Sequence, residues 1–254
     1  MLFLLLRVFS WLIPLVYFFA IRGLIYYFDK WYLFLALALV LDLVYFILIK
    51  IKTTAKGSWL AFLHSLVFVS VGFIYFLFLS GSLPVAIFSF GWPILYLIYL
   101  ESVFHFFYQT KKVFLLDFKN IVSYLNLIIL FFGSVVLINF YTFINFNLFG
   151  LSVVFLLGCL ILLSSRFFAE GYNPRTNVFQ SLVLALLLWE LFLVLTFLPL
   201  SIYALALILS LAYYLLTSFA LRRFNKNLTT LVVLQYSLFA GLVLIIVLVT
   251  AAWL

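Results

Sequence analysis

The chain has 254 residues, 70% of them hydrophobic and only 8% charged, with a formal net charge of +8 and a mean hydropathy of +1.41. Soluble domains run to about 45–50% apolar and about 25% charged residues, so a water-soluble fold is excluded: too little polar surface exists to cover this much hydrocarbon. A membrane β-barrel needs alternating strands of about 10 residues, and continuous runs such as "LFLALALV" and "LVLIIVLV" do not alternate.

Crossing a hydrocarbon core takes about 20 apolar residues per helix, and such runs follow one another closely here. The expectation is an all-α polytopic transmembrane helix bundle of about nine spans, a single integral membrane domain over residues 1–254 without an extramembrane domain. The first span, Leu2 to Ala20, has no basic start before it and no A-x-A-like site after it, so it reads as a retained helix rather than a cleaved leader. The second, Trp31 to Ile49, carries Asp42, and the third, Trp59 to Leu79, carries His64. The fourth, Val85 to Tyr108, holds Gly91 and Pro93 in "FGWPILYLIYLESVFH", followed by Glu101 and His105. Proline inside a helix removes a backbone hydrogen bond and commonly bends it, so Gly91 and Pro93 are a candidate kink.

The fifth span, Ile121 to Phe140, contains Asn126, and the sixth, Leu148 to Phe168, contains Cys159. A lone cysteine forms no internal disulfide and assembles no thiolate metal site. The seventh, Val178 to Leu198, has Gln180 near its start and Glu190 within "LALLLWELFLVL". Ser201 to Leu221 and Thr229 to Trp253 complete the set, the last with Gln235. Trp31, Trp59 and Trp253 fall at span ends, where an aromatic belt puts them.

Basic residues test the count. Arg7, Lys50, Lys52, Lys56, Lys111, Lys112, Lys119, Arg166, Arg175, Arg222, Arg223 and Lys226 all fall on one side of the alternation, and only Arg22 and Lys30 on the other. Cytoplasmic loops collect lysine and arginine, so the amino terminus is expected inside and the carboxyl terminus outside, in a cell (plasma or inner) membrane. This topology accounts for the positive charge, leaving membrane lipids and other membrane subunits as the expected partners and nucleic acid as none. Ser58, Asn120, Asn177 and Asn227 look like helix caps at the basic side, which suggests helical-hairpin repeats from about residue 58 onward.

No Gly-rich phosphate loop, HExxH or CxxC is present, so no cofactor and no metal is expected. The informative residues are the intramembrane polar ones, because a charge at mid-bilayer costs roughly 2.5–3.5 kcal/mol on insertion scales. Counted from the nearest inner marker at about 1.5 Å per residue, His64 lies about 8 Å deep, His105 about 9 Å, Asp42 about 12 Å and Glu101 about 15 Å. Glu101 and His105, four apart, share a helix face. Asp42, His64, Glu101 and His105 are therefore expected on the wall of one inner-side polar cavity. Glu190, about 20 Å in, is expected to turn into the bundle as a neutral acid hydrogen-bonded across it.

Three readings fit these residues. The leading one is a non-enzymatic scaffold or subunit of a larger membrane assembly, in which polar groups fix helix register. A proton-coupled transporter or transport subunit would step protons through the acids from Glu190 to the histidines. An intramembrane enzyme acting on a lipid or isoprenoid would use Glu101 or Asp42 with a histidine as acid and base. The lack of catalytic signatures leans against an enzyme.

Overall fold

The computed structural model describes residues 2–52, 57–108, 117–172, 174–224, 234–238, 241–243, 245 and 249. Eight long helices make up nearly all of them: α1 (Leu2–Tyr26), α2 (Trp31–Lys52), α3 (Ser58–Leu77), α4 (Ser82–Tyr108), α5 (Phe118–Ile144), α6 (Leu148–Ala169), α7 (Pro174–Thr196) and α8 (Ile202–Phe224). Each is long and apolar enough to cross a membrane, and no strand occurs among the described residues. The chain is a multi-pass integral membrane protein. The ninth expected span lies largely outside the described residues, with helix at 234–238 and 241–243.

Several helices begin earlier than the caps suggest. Asn120 lies within the first turn of α5, where its amide bonds to the Asp117 carbonyl at 2.9 Å. Helix α7 starts at Pro174, since proline lacks only an N–H that a first turn leaves unused. Ser58 is the first residue of α3, whose cap position is Gly57 with no side-chain cap bond. Gly57 has φ +126, and a Cβ there would meet the Phe168 ring; both the backbone angle and the space demand glycine. The Asn227 cap lies outside the described residues.

Packing divides the chain into two units, residues 1–125 with 168–171, and 126–167 with 172–254. In the first, α1 packs on α2 and α4, and α3 packs on the same two helices. The result is a closed antiparallel four-helix arrangement. Its register is legible from contacts at two levels: Ser10 meets Glu101 while Phe18 meets Phe90, so α1 and α4 run in opposite directions. The centre is filled by aromatic side chains rather than by aliphatic layers. Phe68, Trp92 and Phe88 stack in sequence, with ring centroids 4.5 and 5.0 Å apart, and Tyr17, Tyr45, Tyr96 and Tyr99 are almost wholly buried beside them. Gly72 makes room for the Trp92 indole, since a Cβ at that position would collide with it.

In the second unit, a buried asparagine ties three helices together. Asn126 on α5 donates from Nδ2 to the Leu162 carbonyl on α6 (2.9 Å) and to the Tyr213 hydroxyl on α8 (2.7 Å). In lipid the unpaired alternative is costly, so a satisfied amide fixes the rotation of all three helices. Phe155 on α6 stacks on Phe192 of α7 at 4.4 Å, and α7 packs along α8.

Candidate functional site

The polar residues of the first unit form two hydrogen-bonded groups. At the upper one, Asp42 of α2 is fully buried, and its Oδ1 accepts from the Ser65 hydroxyl of α3 (2.8 Å) and the Tyr96 hydroxyl of α4 (2.5 Å). The two hydroxyl oxygens are themselves 3.0 Å apart. Three helices thus meet at one carboxyl oxygen, while Asp42 Oδ2 has no hydrogen-bond partner among the described residues. Tyr17 of α1 completes the layer: its ring packs edge-on against Tyr96 at 5.6 Å, and its hydroxyl donates to the Val69 carbonyl of α3 at 3.0 Å. Polar groups placed in hydrocarbon are satisfied across helices, and here every helix of the bundle contributes.

The second group is Glu101 with Ser10 and His105. The Ser10 hydroxyl lies 3.2 Å from Glu101 Oε1 and 2.8 Å from the Arg7 carbonyl. His105 Nε2 lies 3.6 Å from Glu101 Oε2, the one-turn spacing the sequence gives. Glu101 is buried, His105 only partly so.

Asp42 and Glu101 thus belong to two hydrogen-bonded groups, with no direct bond between them among the described residues. Tyr45, one turn along α2 from Asp42, is fully buried and its hydroxyl reaches the Leu100 carbonyl, next to Glu101, at 3.4 Å. His64 is buried with its ring against Tyr99 at 4.8 Å, and the Tyr99 hydroxyl is committed to the Ala61 carbonyl at 2.7 Å. The order of depth also differs from the count along the sequence. Asp42 is level with Ser65 and Tyr96, whereas Glu101 lies five residues further toward the C-terminal end of α4, about 7.5 Å by helical rise. Vertical register is set by pairings across helices, which a count along one helix does not contain.

Glu190 overturns its expectation more plainly: it is exposed, not turned inward. It sits on a face of α7 whose other members, Val183, Leu186, Leu187 and Val194, are exposed as well. Helix α4 runs without interruption through Gly91 and Pro93. Among the described residues no group of three or more His, Cys, Asp or Glu side chains could hold a metal ion.

Three partners were not singled out from the sequence: Ser10, Ser65 and Tyr96. Serine and tyrosine are too common here to stand out alone, but a pattern does. "SWLIPLVY" at Ser10 to Tyr17 and "SFGWPILY" at Ser89 to Tyr96 both read S-x-x-x-P-x-x-Y. In each helix proline withdraws the N–H that would bond the serine carbonyl one turn back. The serine hydroxyls instead reach the Arg7 and Ala86 carbonyls, at 2.8 and 3.0 Å, and the two tyrosines meet at the bundle centre.

Comparison with known proteins gives no match: no family model fits the sequence, and no curated protein or solved structure is similar to it.

Proposed function

We propose that this multi-pass protein is a non-enzymatic scaffold or subunit of a membrane assembly, in which buried polar contacts hold the helices in register. The observation that carries this reading is the Asp42 node. One carboxyl oxygen receives hydroxyls from two other helices, beside the stacked rings of Phe68, Trp92 and Tyr96. A polar residue in such a position fixes rotation and vertical register, which apolar helices in lipid specify poorly. Glu190 supports the assembly half of the reading. A carboxyl group on an exposed apolar face costs roughly 2.5–3.5 kcal/mol on insertion scales, and a neighbouring membrane subunit that hydrogen-bonds it would remove that cost. The distribution of basic residues fits a cell membrane with the amino terminus inside.

One atom favours a second reading. Asp42 Oδ2 is buried and has no hydrogen-bond partner among the described residues, which is where a transported proton would bind in a proton-coupled subunit.

Reconstitution separates the two. Purified protein in vesicles loaded with a pH-sensitive dye is expected to pass no protons above the level of empty vesicles under an imposed pH gradient. A flux that Asp42→Asn abolishes would overturn the scaffold reading and establish the second.

A further inference from the structure

Two adjoining grooves run along the outer face of the first unit. One, of about 570 Å³, is lined by Arg7, Val8, Trp11, Leu12 and Leu15 of α1. The other, of about 310 Å³, lies between α1 and α4 and is lined by Trp11, Pro14, Leu15, Phe18, Phe90, Pro93, Ile94 and Leu97. Trp11 and Leu15 belong to both, so the grooves form one trough. Both are shallow and open along their length, as a surface that an acyl chain lies against would be.

We propose that this trough binds one phospholipid with an anionic headgroup, its phosphate at Arg7 and an acyl chain laid along the α1/α4 seam. Charge and length both argue for that occupant. Arg7 is exposed, stands next to the first residue of the span Leu6–Tyr26, and makes no ion pair among the described residues. Every other lining residue is apolar or aromatic. From Arg7 to Phe18 is eleven residues of helix, about 16 Å of rise, against about 15 Å for half of a 30 Å hydrocarbon core. The trough is one leaflet long.

The far end is closed by a different device. The Arg22 guanidinium lies over the Phe18 and Phe90 rings, 5.9 and 5.0 Å from their centroids. That cation is engaged with aromatic faces, leaving Arg7 to set the direction of the lipid.

The two prolines explain why a trough forms here and not a filled seam. Pro14 and Pro93 both line it, and their rings are smaller than the side chains of Trp11, Phe18, Phe90 and Leu97 about one turn away. Gly91 beside Pro93 has nothing within 4 Å of where its Cβ would be. The scaffold reading neither requires nor supplies this site, and a proton-coupled subunit would carry it equally.

Trp11 is exposed within the trough and serves as the probe. The protein is reconstituted in vesicles containing phosphatidylcholine and phosphatidylglycerol, with dibrominated acyl chains on one lipid or the other. Quenching that disappears in Trp11→Phe is assigned to Trp11. The expected result is preferential quenching by brominated phosphatidylglycerol corresponding to about fivefold local enrichment, the effect of one cation near the surface. Arg7→Gln is expected to abolish that preference, and Lys50→Gln, which removes the same charge from the exposed inner end of α2, to leave it intact. Equal quenching by the two lipids overturns the proposal. So does a preference that Lys50→Gln lowers as much as Arg7→Gln, which would mark a diffuse surface charge. Proton flux in the same vesicles tests the scaffold reading separately.

Discussion

Replacing Tyr96 by phenylalanine isolates the hydroxyl at the Asp42 node, because the ring contacts survive. Phenylalanine keeps the stack on Phe68 at 5.4 Å and the edge contact with Tyr17 at 5.6 Å. What is lost is the 2.5 Å bond to Asp42 Oδ1, while Ser65 still donates to the same atom at 2.8 Å. Interhelical hydrogen bonds in membrane proteins average about 0.6 kcal/mol and reach about 1.7. A short bond to a fully buried carboxyl belongs in the upper half, so Tyr96→Phe should cost about 1 to 1.7 kcal/mol. Ser65→Ala should cost somewhat less, since Tyr96 remains.

The double variant is more telling. With both hydroxyls gone Oδ1 has no donor, and a buried acceptor left unsatisfied costs about 1–3 kcal/mol. The double variant should therefore lose at least about 0.5 kcal/mol more than the two single losses added together, the lower end of coupling between contacting residues. Reversible unfolding by sodium dodecyl sulfate in mixed micelles measures it, with far-ultraviolet dichroism as the signal. Additive losses, or no loss in Tyr96→Phe, would refute the account of the node.

Gly72→Ala is expected to destabilise the first unit by about 1–3 kcal/mol as an overpacked core, because stacking on Phe68 and Phe88 prevents Trp92 from moving aside; the same titration, followed by tryptophan emission, checks it. Asn126→Leu should lower stability by about 0.6–1.7 kcal/mol through loss of the bonds to Leu162 and Tyr213, and proteolysis of the micellar protein should accelerate accordingly. Glu190→Leu should leave the unfolding midpoint of the isolated protein within about 0.5 kcal/mol of wild type, since the side chain is exposed, yet shift its migration on a native gel of solubilised membranes toward lower mass. A large loss of stability in the isolated protein would instead mean that Glu190 is held within the chain.

Much of the fold was legible because it depends on run length. An apolar stretch of sufficient length between polar breaks is a membrane helix whatever its partners, and all eight described helices coincide with expected spans. Rotation was not legible. Helices such as α4 and α7 are apolar on every side, so no amphipathic stripe distinguishes the inward face, and Glu190 was assigned inward on cost alone. Vertical register was equally hidden: it is set by pairings such as Asp42 with Tyr96 and Ser10 with Glu101, which join residues far apart in sequence. The Glu101 and His105 contact was legible because one turn of helix dictates it. Ser65 has no such signal, whereas the repeated S-x-x-x-P-x-x-Y spacing is a mark in the sequence by which Ser10 and Tyr96 can be found.

The claim on which the rest depends is the alternation of the chain across the membrane. With Cys159 replaced by serine, single cysteines at Lys50, Lys119 and Arg223, and at Asp29, Ser82 and Asn145, can be labelled in intact cells by a membrane-impermeant maleimide. The account predicts labelling from outside at Asp29, Ser82 and Asn145, and labelling of Lys50, Lys119 and Arg223 only after the membrane is opened. Outside labelling at Lys50, Lys119 or Arg223, in cells that remain sealed, would contradict it.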